Sequence, residues 1–127
     1  MSTDRHPLVM TANTYQELAS RTLLGAPDFE ITDAQVMISW NALGLAGEAG
    51  EVADLIKKQI YHQHGLDREA LKKELGDVLW YVAALCSDLG LSLDEVMRAN
   101  IEKLNARFPD GYDASRTTSE HKTGNAA

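Results

Sequence analysis

Two acidic motifs carry the chemistry available to this sequence. They are Glu48-Ala49-Gly50-Glu51 and Glu74-Leu75-Gly76-Asp77, with 22 residues between them. In each, two carboxylates stand three positions apart, so on a helix they share one face. If the two helices pack antiparallel, four carboxylates converge. Like charges that close repel one another unless a cation neutralises them. Hard divalent cations take oxygen ligands, so the cluster points to Mg²⁺, with Mn²⁺ as a substitute. The plainer reading is a set of surface salt bridges with Lys57, Lys58, Lys72 and Lys73.

The elements that must position these residues read as helices throughout. No stretch shows useful strand-like alternation. Thr14 with Glu17 fits a capping box opening a first helix of about ten residues, which Gly25-Ala26-Pro27-Asp28 ends. Thr32 with Gln35 is a second capping box. A long helix, broken or continuous, runs from there toward His62 and is closed by His64-Gly65. Asp67 caps a third helix that ends at Gly90. Ser92 with Glu95 caps a fourth, which stops before Pro109.

Helical projection at about 100° per residue gives each long helix an apolar stripe. In the second it is Leu45, Ala49, Val52, Ile56 and Ile60. In the third it is Leu71, Leu75, Val78, Val82, Leu85 and Leu89. Glu48 and Glu51 border the first stripe, and Glu74, Asp77 and Tyr81 border the second. The fourth helix carries Leu93, Met97, Ile101 and Leu104, flanked by Asn100, Lys103 and Arg107. Lys103 and Arg107 are either a solvated face or holders of phosphate oxygens. A further apolar patch of Val36, Trp40, Leu43 and Trp80 points away from these stripes. Helices apolar on two faces are buried on two faces, which predicts a homo-oligomer. Small residues crowd the first motif, from Ala42 and Gly44 to Gly50 and Ala53. They serve close helix packing, backbone space beside the cluster, or both.

Composition bounds the function. The 127 residues allow one domain, and 44% hydrophobic residues can build a core. A formal net charge of −7 disfavours nucleic acid and anionic membrane as partners. An anionic small molecule remains possible, because a bound metal reverses the local sign. The single cysteine, Cys86, lies in an apolar helix and reads as a buried structural thiol. No apolar run suggests a membrane span, and Met1 to Met10 hold no signal-peptide core. A cytoplasmic protein is expected. Residues 1–13 and 114–127 read as flexible tails around a domain at 14–113.

The residues in these positions resemble a known family. Gly44 to Val52, then Glu74-Leu75-Gly76-Asp77-Val78-Leu79-Trp80-Tyr81, then Asn100 through Lys103 to Arg107-Phe108-Pro109-Asp110-Gly111, are similar to the MazG-like nucleotide pyrophosphohydrolases of the all-α NTP pyrophosphatase superfamily. The resemblance implies an antiparallel helical bundle of about four to five helices, assembled as a homodimer or homotetramer. It implies Mg²⁺-dependent cleavage of a nucleoside triphosphate at the α-phosphorus, giving monophosphate and pyrophosphate. The family carboxylates fall on Glu48, Glu51, Glu74 and Asp77. A family tyrosine falls on Tyr81, and an Asn/Lys segment on Asn100 and Lys103. One departure stands out. The widespread pattern begins with two adjacent glutamates, and here the first is Gly47, as in some members that prefer deoxycytidine triphosphate. Two other readings are a phosphoribosyl-ATP pyrophosphohydrolase of the same fold and a non-catalytic helical interaction module with a vestigial acidic site.

Overall fold

The computed structural model describes residues 9–116. The expectations for 1–8 and 117–127 lie outside them. Among the described residues there are four α-helices, one 3₁₀ turn and no strand. They are α1 (Ala12–Ser20), α2 (Asp33–Tyr61), α3 (Arg68–Asp88), α4 (Leu93–Arg107) and the 3₁₀ turn Ala114–Arg116. The all-α expectation, with its count of helices, is met. Residues up to Ile31 form one compact unit and those from Thr32 onward another.

Local chemistry starts and stops these helices. α2 opens on the expected reciprocal box: the Gln35 amide donates to Thr32 Oγ1 (3.2 Å) and the Thr32 amide to Gln35 Oε1 (3.0 Å). The Ala70 amide donates to Asp67 Oδ1 (2.9 Å), and the Glu95 amide to Ser92 Oγ (3.3 Å), as the caps of α3 and α4 require. α3 ends in a Schellman turn. Gly90 takes φ 65°, its amide reaches the Ser87 carbonyl (3.3 Å), and that of Leu91 reaches Cys86 (2.8 Å).

Three boundaries differ from the sequence reading; one is that α1 ends at Ser20, before the expected Gly25-Ala26-Pro27-Asp28 stop. α1 is capped by Thr11, not Thr14, with the Thr14 amide donating to Thr11 Oγ1 at 3.1 Å. Thr11 has the extended backbone a cap needs, and Thr14 sits one turn inside. At the end of α2 the left-handed residue is Gln63 (φ 54°) rather than Gly65. α2 is continuous through Gly44, Gly47 and Gly50, although each glycine costs about 1 kcal/mol relative to alanine.

Packing against α3 offsets that cost. The two helices form the only extensive pairing among the described residues. It is antiparallel: Asn41 near the start of α2 meets Asp88 at the end of α3. The facing residues are Ile38, Asn41, Leu45, Glu48, Val52 and Leu55 on α2, and Leu71, Glu74, Val78, Tyr81 and Leu85 on α3. All are buried or half-buried. Both sets alternate three and four residues apart, the spacing of a coiled-coil seam. This corrects the projected stripes. Ala49, Ile60, Leu75 and Leu89 are exposed, because the real seam lies rotated toward Glu48 and Glu74.

One polar bond locks the open end of this hairpin. Asn41 is buried, and its Nδ2 donates to Asp88 Oδ2 at 2.6 Å. Asn41→Ala should cost about 1–3 kcal/mol, since a charge-assisted bond is lost and a cavity is left. Urea unfolding checks this; an unchanged midpoint would contradict it.

α4 turns away from α3 by 110°. Met97 and Ile101 of its apolar stripe are exposed, as are Trp40 (65%), Leu43 (74%) and Trp80 (60%). Among the described residues no single helix is long and apolar enough to cross a membrane.

Candidate active site

The α2/α3 seam brings three of the four motif carboxylates together. One carboxylate oxygen from each of Glu48, Glu74 and Asp77 lies within 4.8 Å of the other two. Glu48 and Glu74 occupy facing positions in the seam and are half-buried, and Asp77 stands exposed at its rim. Helix geometry dictates this. Glu74 and Asp77 are three apart and present one face to Glu48 across the antiparallel pair.

Glu51 is exposed and lies outside this close group. It remains near enough to act electrostatically. Glu48 is pushed above the ordinary glutamate value, first by loss of solvation and then by the charges of Asp77, Glu74 and Glu51. A hydrogen bond that protonated Glu48 donates to the Glu74 carboxylate pushes the same way.

The lysines do not neutralise the cluster. Lys57 and Lys58 both turn to Asp54, at 2.6 and 2.5 Å. Their hydrogen bonds pull the Asp54 carboxyl down to about 2. Among the described residues no ion pair joins Glu48, Glu51, Glu74 or Asp77 to any lysine or arginine. Lys58 is still near enough to Glu51 for their charges to attract. What stands in the seam is a set of oxygen donors with excess negative charge and, among the described residues, no ion-paired lysine or arginine. That donor set fits a hard divalent cation such as Mg²⁺.

Tyr81 lies in the seam one turn beyond Asp77, half-buried, its ring packed edge-on to Trp80 with centroids 4.9 Å apart. Asn100 and Lys103 are exposed on α4, and no hydrogen bond or ion pair ties either to the carboxylates within the described residues. Arg107 is half-buried at the end of α4. Its guanidinium stacks 5.1 Å over the Phe108 ring and donates to the Arg116 carbonyl (3.3 Å). Arg116 returns a bond to the Arg107 carbonyl at 3.1 Å. The segment after α4 is thereby folded back on the helix end.

Asn41 and Asp88 were not singled out from the sequence. The available signal was register: Asn41 precedes Glu48 by one heptad, so once Glu48 is placed in the seam Asn41 must be there too.

The chain belongs to the MazG nucleotide pyrophosphohydrolase domain family, whose pattern it matches over residues 38–112, more than half its length. That span holds both acidic motifs, α2 from Ile38 onward, α3 and α4. The chain is 38% identical to the Gene 37 protein of Mycobacterium phage L5, over 80% of this chain and 92% of that protein. It is 36% identical to the uncharacterized protein YvdC of Bacillus subtilis (strain 168), over 50% of this chain and 69% of that one. No solved structure matches it.

Proposed function

We propose that this protein is a Mg²⁺-dependent nucleoside triphosphate pyrophosphohydrolase. Water attacks the α-phosphorus of an NTP or dNTP, and nucleoside monophosphate and pyrophosphate leave. The observation that carries this reading is the close-set Glu48, Glu74 and Asp77 cluster, in a chain of this family.

Glu48, Glu74 and Asp77 would hold the cation. Bound there, a divalent cation supplies charge neutralisation for the triphosphate and for the oxygens that form and break bonds. Glu51 stands beside this group without being part of it, which suits it to orient the attacking water and take its proton. The new bond joins the water oxygen to the α-phosphorus. The bond from that phosphorus to the bridging oxygen breaks, and pyrophosphate departs with the electron pair. Tyr81 borders the site on the side of the sugar and phosphates. Asn100 and Lys103 steady phosphate oxygens. Arg107 would have to leave the Arg116 carbonyl to join them. The physiological role consistent with this chemistry is removal of unwanted nucleotides from the cytoplasmic pool.

The direct test is a panel of NTPs and dNTPs, with phosphoribosyl-ATP alongside, assayed for pyrophosphate with and without Mg²⁺. Mg²⁺-dependent pyrophosphate release from at least one nucleoside triphosphate is expected. Release from phosphoribosyl-ATP alone would favour a phosphoribosyl-ATP pyrophosphohydrolase. Release from none would leave a non-catalytic module.

The same reading includes self-assembly. Val36, Trp40, Leu43 and Trp80, with Met97 and Ile101 of α4, are exposed apolar side chains, and exposed apolar patches mark interaction surfaces. A homodimer or homotetramer is the expected species by light scattering at micromolar concentration. A monomer would contradict it.

A further inference from the structure

Three glycines lie close together in α2, and only one is crowded. A Cβ added at Gly47 or Gly50 meets nothing within 4 Å. At Gly44 it would run into the ring of Tyr81, at 2.9 Å from Cδ1 and closer still to Cε1 and Cζ. The phenol therefore lies against the bare backbone of α2, where no other residue type leaves room. Gly44 precedes Glu48 by four residues, and Tyr81 follows Asp77 by four. In an antiparallel pair that puts the Gly44–Tyr81 contact one helical turn from the Glu48–Asp77 contact.

We propose that Gly44 is the positioning residue for Tyr81: its missing side chain is the seat that fixes the phenol beside the carboxylate cluster, where the ring contacts a bound nucleotide. The nucleotide part of this rests on the hydrolase reading above; the seat itself does not. Gly44 touches no reacting atom and acts only through the ring. The ring is rigid, so a methyl group at Gly44 cannot be accommodated by a small bend of Tyr81. With Cε1, Cζ and Cδ1 all inside contact distance, the ring must shift from its present place. Alanine favours helix more than glycine, so α2 itself is not endangered.

The experiment compares Gly44→Ala, Tyr81→Ala, the double variant and Gly50→Ala as a control for lost glycine. In Gly44→Ala, KM for the best nucleotide should rise about tenfold, with kcat changed less than about threefold. Tyr81→Ala should match it. The double variant should be no worse than either single, because both remove the same contact. Gly50→Ala should behave as wild type. Nucleotide-free protein should bind Mn²⁺ equally in all four, which a general loosening of the seam would not allow.

A readout without substrate separates this proposal from the function. With ¹³C-labelled tyrosine, the Tyr81 ring resonances should move in Gly44→Ala and stay in Gly50→Ala. If they move while wild type hydrolyses no nucleotide, the hydrolase reading fails and the seat stands. Unmoved Tyr81 resonances would overturn the seat whatever the activity. So would an unchanged KM in an active Gly44→Ala enzyme, a double variant showing the product of both losses, or Mn²⁺ affinity lost with Gly44→Ala.

Discussion

Glu74→Gln and Asp77→Asn should each lower turnover on the order of 10²–10³-fold, the scale of removing one preorganised electrostatic group, while leaving the helices intact. Both substitutions keep the shape of the side chain and remove its charge. Glu74 faces Glu48 in the seam and Asp77 closes the group from the rim, so neither can be replaced by a neighbour. The unliganded protein should not be destabilised, because each change relieves repulsion within the carboxylate group. Circular dichroism and steady-state assays check the two halves of this expectation. Near-native turnover in either variant would contradict the placement of the metal. Loss of helix would assign the carboxylates a structural role instead.

The second large effect is stabilisation by Mg²⁺ or Mn²⁺, with a pH dependence of definite sign. A ligand that binds only the folded state adds about 2.7 kcal/mol at 100 times its dissociation constant, several degrees in melting temperature for a domain of this size. Without metal, the raised Glu48 carboxyl means the folded state holds its proton more tightly than the unfolded state does. That contribution is complete below the ordinary value of 4.5 and is lost as pH rises through the elevated folded value. A cation must displace the same proton. Its stabilising effect should therefore be largest near neutral pH and fade on acidification, opposite in sign to the metal-free trend. Thermal melts across this range, with and without millimolar Mg²⁺, measure both. Melts indifferent to Mg²⁺ at neutral pH would argue against the site.

The legible parts of the fold were the local ones. Thr32 with Gln35, Asp67, Ser92 with Glu95 and Gly90 announce themselves because capping depends on residues within one turn. The first helix was misplaced by one turn for the same kind of reason: Thr11 and Thr14 both carry a hydroxyl, and only the backbone decides which one caps. The site was legible as two acidic motifs on facing helices. Their exact register was not. Projection of each helix alone put Glu48 and Glu74 at the edge of an apolar stripe. Pairing two helices selects positions alternating by three and four, and that rule places both glutamates in the seam with Asn41. The separation of Glu51 from the other three carboxylates depends on this rotation too. The use of Lys57 and Lys58 by Asp54 was equally hidden, because one carboxylate taking both lysines is a choice of side-chain rotamers rather than of spacing. Where Asn100 and Lys103 act cannot follow from helical spacing either. α4 leaves α3 at a wide angle, with Met97 and Ile101 exposed, so helical spacing alone does not say what faces it.

The central claim concerns which bond the carboxylate cluster helps to break, and isotope labelling tests it most directly. Hydrolysis of the best substrate should be run in ¹⁸O-labelled water with Mg²⁺, and the products weighed by mass spectrometry. Attack at the α-phosphorus puts one labelled oxygen in the nucleoside monophosphate and none in the pyrophosphate. Label in the pyrophosphate, or orthophosphate as the first product, would contradict the proposed reaction even if the protein proved to be a Mg²⁺-dependent nucleotide hydrolase.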